Sequence, residues 1–154
     1  MKQMIVTGLF ALIAGCEPTN TYVVEPGFAG PVIVVWGDPS GATLDANREI
    51  RVGADGKVFL SSAPPSSFRA RFRKGSRAGE TLNVMEFQNA VQYGDCEGKP
   101  GPTVSEDSFF VGSRQEGRMK ELRKETLIET MRRRGRNDLA SCWAAMPLSY
   151  FESL

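Results

Sequence analysis

A run of five consecutive apolar residues, 32–36, constrains the fold of this chain more than any other feature. Four of the five are β-branched, and turn-forming residues bound the run, Gly30 and Pro31 before it and Gly37 and Asp38 after it. A short, bounded run of this kind is typical of a strand in the centre of a sheet. The sequence therefore predicts a sheet protein built around this segment.

Other segments predict strands on both sides of this run. Arginines alternate with smaller or apolar residues over 69–73, which indicates a strand with one basic face. The Asp55-Gly56 pair tolerates the positive φ of a tight turn, so we expect a hairpin between strands at 48–52 and 57–61. We also expect the strand at 68–73 to pair with residues 82–87.

Seven or eight strands follow from these patterns, and helical patterns replace them near the C-terminus. Ser113 and Glu116 have the spacing of a capping box, and Gly135 follows a run of arginines, so a helix is predicted over 113–134. A second helix is predicted over about 138–146. The predicted fold class is mainly β: a single antiparallel β-sandwich-like domain, residues 21–154, with a C-terminal α-helical segment.

The first sixteen residues have the order of a secretory signal. Lys2 precedes an apolar run of about ten residues, 4–13, which is shorter than the roughly 20 that a membrane-spanning helix needs. Ala14, Gly15 and Cys16 follow. The alternative interpretation is a buried N-terminal strand or helix.

This order resembles the lipobox of bacterial lipoproteins. The resemblance implies that residues 1–15 are a signal peptide and that Cys16 carries fatty acyl chains such as palmitate, with 16–20 as a lipidated tether. It implies a lipid-anchored protein of the cell envelope. Glu17 follows the cysteine, where aspartate is the usual inner-membrane retention signal in Gram-negative cells. The periplasmic face of the outer membrane is therefore favoured in such a cell.

The chain has three cysteines, so lipidation of Cys16 leaves Cys96 and Cys142. An exported pair in an oxidising compartment is expected to form a disulfide bond. Two buried free thiols are the alternative. A zinc site is disfavoured, because two thiols without histidine are a poor ligand set.

Composition excludes several classes of function. The chain contains no histidine, which excludes Ser-His-Asp and Cys-His hydrolases and histidine-ligated metal sites. The formal net charge of +1 gives no general reason to bind nucleic acid. We therefore expect no metal, no cofactor and no catalytic residues.

Two arginine groups are candidate binding sites for an anionic partner. The first is Arg132, Arg133, Arg134 and Arg136, at the end of the predicted helix. The second is the row at 69, 71 and 73. The alternatives are a solvated helix end, where cations match the helix dipole, and the solvent side of an edge strand.

Three segments resemble a family of bacterial envelope domains of unknown function. Residues 22–34 read Tyr-Val-Val-Glu-Pro-Gly-Phe-Ala-Gly-Pro-Val-Ile-Val, 56–65 read Gly-Lys-Val-Phe-Leu-Ser-Ser-Ala-Pro-Pro, and 109–113 read Phe-Phe-Val-Gly-Ser before a helix. The resemblance covers about residues 22–125. It implies a domain of the envelope and brings no catalytic residues.

Together these patterns predict a lipid-anchored binding or interaction protein of the cell envelope, without catalytic activity. Its expected partners are the membrane, through Cys16, and an envelope protein. One alternative is an immunity-type lipoprotein that blocks a toxin in the periplasm. Another is a carboxylate-based cell-wall hydrolase, which a buried carboxylate pair in a cleft would favour.

Overall fold

A computed structural model describes residues 17–75 and 82–152. The predicted signal peptide, residues 1–15, and Cys16 lie outside the described residues, as do residues 76–81 between the predicted strands at 68–73 and 82–87. Strands come first in the described chain and helices follow them. The strands are β1 Thr19–Val24, β2 Gly30–Trp36, β3 Glu49–Val52, β4 Lys57–Leu60, β5 Arg69–Lys74, β6 Val84–Tyr93 and β7 Thr103–Val111. The helices are α1 Glu116–Arg133, α2 Asn137–Ala145 and a 3-10 helix Leu148–Glu152.

The strands form two sheets of different kinds. The first sheet has the order β3-β1-β5, and both of its pairings are parallel. The second sheet has the order β4-β2-β7-β6, with β2 parallel to β4 and antiparallel to β7, which is antiparallel to β6. The mainly β class with a helical C-terminal segment is confirmed. The expectation of antiparallel pairing is wrong for three of the five pairings among the described strands.

β2 lies in the middle of three layers, which explains its continuous apolar run. Val32, Val34 and Trp36 pack in the core that the second sheet shares with the first. Ile33 and Val35 face the opposite way, into the core that contains the helices. A strand that is covered on both faces typically consists of a nearly continuous run of apolar residues.

The turn at Asp55-Gly56 does not form the predicted hairpin. β3 belongs to the first sheet and β4 to the second, so the turn carries the chain from one layer to the other. Gly56 has φ +73°, and a Cβ there would lie 2.4 Å from the Pro31 carbonyl oxygen, so glycine is required. The predicted pairing of 68–73 with 82–87 is wrong for the same reason, because β5 and β6 lie in different sheets.

α1 begins later than the capping box predicts and ends as the glycine indicates. Its N-cap is Gln115, without a side-chain hydrogen bond, and Ser113 lies in the bend after β7. At the other end, Gly135 has φ +72°. The Gly135 N–H donates to the Arg132 carbonyl at 3.0 Å, and the Arg136 N–H donates to Met131 at 2.8 Å. These two bonds close the helix as a Schellman motif.

A disulfide bond fastens α2 to the sheet. Cys96, in the loop after β6, is joined to Cys142 of α2, with 6.2 Å between their Cα atoms. Beside it, Trp143 Nε1 donates to the Gly94 carbonyl oxygen at 3.1 Å. None of the helices in the described part of the chain is both long enough and apolar enough to cross a bilayer.

Candidate functional site

A cleft lies between strands β6 and β7, helix α1 and the 3-10 helix. Its volume is about 370 Å³. Phe110, Met119 and Phe151 form an apolar wall, and charged and polar side chains line the remainder. This volume lies within the range of ligand sites in proteins, and the lining of the cleft is more polar than is usual for such sites.

Arg123 forms the floor of the cleft. Its side chain is 10% exposed, and its Nη2 donates to Ser108 Oγ at 3.2 Å and to Gln88 Oε1 at 3.3 Å. Its Nε lies 3.4 Å from Oε1 of Glu106, which is 3% exposed. A buried ion pair of this kind is costly to desolvate and costly to break. The guanidinium is therefore held in one place between β7 and α1.

A strained backbone position forms part of the rim. Glu86 has φ +54°, and the pairing of β6 with β7 shifts register between Met85 and Gln88, as in a β-bulge. Bulges turn side chains away from the regular direction and are common beside functional sites. Arg114 Nη1 lies 2.7 Å from Glu86 Oε1, and Arg114 also pairs with Glu116. The rim thus carries charges of both signs.

A second buried charge lies between the sheets, away from the cleft. Asp107 is fully buried and accepts hydrogen bonds from the Tyr22 hydroxyl, from Trp36 Nε1 at 3.0 Å and from Asn89 Nδ2 at 2.7 Å. Burial raises the pKa of the Asp107 carboxyl, and these hydrogen bonds oppose that rise. Burial, and then the charge of Asp107, also raise the pKa of the Tyr22 phenol. Asp107 thus joins the two sheets.

The first two arginines of the predicted anionic site differ in their surroundings. Arg132 is exposed on the last turn of α1. Arg133 Nη1 donates to Ser40 Oγ at 2.9 Å, and its guanidinium carbon lies 4.2 Å from the centre of the Phe59 ring. Arg133 therefore packs the end of α1 against the loop that follows β2.

Arg134 and Arg136 also contact the protein itself. Arg134 donates to the carbonyl oxygens of Thr103, at 3.2 Å, and Gly37, at 3.3 Å. Arg136 Nε lies 3.1 Å from Asp138 Oδ1, and this hydrogen bond lowers the pKa of Asp138. Three of the four predicted residues thus have intramolecular partners. Binding of an anionic partner by this group stays a prediction.

The residues predicted from the sequence do not include Arg123, Glu106 or Asp107. A signal was present, because residues 106–108 are polar within a strand that is otherwise rich in apolar residues. Likewise Arg123 follows Leu122 on the buried side of α1. The part of the chain that the structure describes contains no group of three or more histidine, cysteine, aspartate or glutamate residues placed to hold a metal ion.

Comparison with known proteins gives similarity at the level of fold. No protein-family model matches the sequence, and no curated protein matches it. The resemblance to envelope domains is therefore without a matching family model. Among solved structures, the chain is similar to a crystal structure named "Putative Lipoprotein from Bacillus anthracis", with a TM-score of 0.52 and 13% identity. The match covers 76% of this chain and 97% of that chain.

Proposed function

We propose that this protein is a lipid-anchored lipoprotein of the bacterial envelope that binds a partner protein and catalyses no reaction. The Cys96–Cys142 disulfide supports an oxidising, exported location, since such bonds are rare in the cytosol. It also leaves Cys16 as the remaining cysteine, within the lipobox-like sequence. The name of the Bacillus anthracis protein, which has a similar fold, agrees with this proposal.

The cleft beside α1 is the observation that carries the binding function. Its apolar wall, which includes Phe110 and Met119, can receive an apolar side chain. Arg114 and Lys120 bring positive charge to the cleft, and Glu86 and Glu116 bring negative charge. A protein segment that presents an apolar anchor flanked by charged groups would complement this arrangement.

The carboxyl groups support binding rather than hydrolysis. A cell-wall hydrolase needs two carboxyl groups that face a substrate and have different protonation states. Glu86 and Glu116 line the cleft, but both are exposed and both pair with Arg114. Asp107, whose pKa burial raises, is fully enclosed between the sheets, where substrate has no access.

Intact-mass analysis tests the anchor. The full-length chain is expressed in a bacterium, and the membrane fraction is compared with that of a Cys16→Ser variant. We expect the native protein to lack residues 1–15 and to carry acyl mass on Cys16, and the variant to retain its first residues and to carry no acyl chain. A native protein that begins with Met1 and has no acyl mass would contradict the proposal.

Photo-crosslinking tests the binding site. A photoreactive amino acid replaces Glu86 at the cleft rim or, as the control, Ser141 on the exposed side of α2. We expect one discrete protein adduct from position 86 in intact cells and none from position 141. Equal adducts at both positions would contradict the cleft as the site. Release of soluble fragments from purified cell wall, lost in Glu86→Gln, would favour the hydrolase instead.

A further inference from the structure

The outer face of the first sheet carries a row of arginines on both sides of β1. The register places Arg71 beside Thr21, and it places Arg73 and Arg51 on either side of Val23. The inner face of this sheet packs against the second sheet, and the helices pack on the far side of that second sheet. We call the surface formed by Arg51, Arg69, Arg71 and Arg73 the arginine face.

The arginine face carries more positive charge than the neighbouring carboxylates neutralise. Glu49 is the carboxylate between these strands, and it pairs with both Arg51, at 3.0 Å, and Arg73, at 2.5 Å. Arg69 is 78% exposed and lies 3.7 Å from Glu17. Arg71 is exposed and makes no hydrogen bond or ion pair with the described residues. Four guanidinium groups therefore face two carboxylates.

The arginine face begins beside the anchoring residue. The Arg69 N–H donates to the Pro18 carbonyl oxygen at 2.9 Å, so the chain is fixed to the sheet from residue 18. Three residue steps join Cys16 to Thr19, where β1 begins, and they span at most about 11 Å. That distance is close to the Debye length of roughly 10 Å at 0.1 M salt. A lipid on Cys16 would thus hold Arg69, which lies beside Thr19, within electrostatic range of the bilayer. The other arginines lie farther along β1, and they would reach the same range when the sheet lies flat on the surface.

We propose that the arginine face docks on the anionic phospholipid headgroups of the membrane that holds the Cys16 lipid. This inference rests on the proposed function for the lipid itself. The planar guanidinium group matches phosphate oxygens in a two-point contact. Docking would lay the first sheet against the bilayer and would turn the cleft, on the far side of the second sheet, toward the aqueous space.

The test uses the mature lipidated protein, residues 16–154, on two kinds of vesicle, phosphatidylcholine alone and phosphatidylcholine with phosphatidylglycerol. A fluorophore is attached at Thr21→Cys on the arginine face or, as the control, at Glu125→Cys on α1. Quenching by neutral acrylamide reports the exposure of each label. Arg69→Gln with Arg71→Gln removes two charges from the face.

A matched charge control removes Lys99 and Arg118, which are exposed and lie outside the arginine face. We expect the label at position 21 to be protected only on vesicles that contain phosphatidylglycerol. Each arginine near an anionic surface contributes about fivefold to the docking equilibrium. Loss of both should lower it on the order of twenty-five-fold, and the control pair should not change the protection.

The two proposals fail in distinguishable ways. Retention on phosphatidylcholine vesicles measures the lipid anchor alone, so its absence would contradict the proposed function. Equal protection on both kinds of vesicle, or equal protection in Arg69→Gln/Arg71→Gln and the control pair, would overturn the docking face. If the protein carries no lipid anchor, its retention on vesicles that contain phosphatidylglycerol still tests the arginine face. Arg69→Gln/Arg71→Gln must lower that retention, and an unchanged retention would overturn the inference.

Discussion

The hydrogen bond between the Tyr22 hydroxyl and Asp107 should contribute measurably to stability. We predict that Tyr22→Phe lowers the free energy of unfolding by about 2 kcal/mol at mildly alkaline pH, because a hydrogen bond to a charged group contributes about 1.5–3 kcal/mol. The phenylalanine ring would keep the contacts of Tyr22 with Phe72 and Phe109, whose ring centres lie 5.2 and 5.3 Å away. The loss would therefore report the hydroxyl rather than the packing.

A double-mutant cycle isolates the charge. In an Asp107→Asn background the lost hydrogen bond is neutral, so Tyr22→Phe should cost only about 1 kcal/mol. The difference gives a coupling energy of about 1 kcal/mol between the two positions. Urea unfolding followed by fluorescence measures all four proteins, and an unchanged m-value shows that the same surface is exposed on unfolding.

Tyr150→Phe is the matched control, because Tyr150 is 55% exposed and its hydroxyl should contribute little. We expect less than about 0.5 kcal/mol from it. An equal cost of Tyr22→Phe in both backgrounds would show that the hydroxyl does not stabilise a carboxylate. A cost no greater than that of the control would show that the hydrogen bond has no net effect on folding.

Three further predictions concern other parts of the fold. Burial raises the folded-state pKa of Asp107, so the free energy of unfolding should fall as pH rises from the unfolded-state pKa of about 3.9 through the folded-state pKa. Asp107→Asn should remove this part of the pH dependence, and urea titrations at several pH values would measure it. Replacing Cys96 and Cys142 together by serine should lower the free energy of unfolding by about 4 kcal/mol, because a disulfide bond across 46 residues then no longer restricts the unfolded chain. A loss below about 1 kcal/mol would contradict this prediction. Gly135→Ala should lower the free energy of unfolding by about 1 kcal/mol, as thermal unfolding would measure. The φ of +72° alone causes this loss, since a Cβ at this position meets no atom within 4 Å.

The positions of the strands could be predicted from the sequence better than the pairing between them. The run at 32–36 indicates a buried strand because strands covered on both faces are typically nearly continuous runs of apolar residues. The alternation over 69–73 indicates an exposed basic face, and the register of β5 places these arginines together. These inferences depend on a single strand and its two faces, which local sequence determines.

Strand partners and the cleft depend on contacts that are distant in sequence. Asp55-Gly56 forms a turn, but turn chemistry does not specify which sheet receives the next strand. β1 pairs with β3 and β5, both of which follow after crossovers to the other layer. Glu106 and Arg123 become a buried pair only when α1 packs on β7. No local sequence pattern indicates this ion pair, because it forms only when the layer of helices packs on the second sheet.

The central position of β1 has a mechanical consequence. β3 bonds to one edge of β1 and β5 to the other, and both run in the direction of β1. A force applied at the N-terminal end of β1 acts along the strand, so the hydrogen bonds on both edges are sheared together instead of separating one after another. The rate of forced unfolding follows the unfolding barrier. If an anchor precedes Thr19, a force on that anchor therefore pulls the first sheet in the direction in which it resists unfolding most.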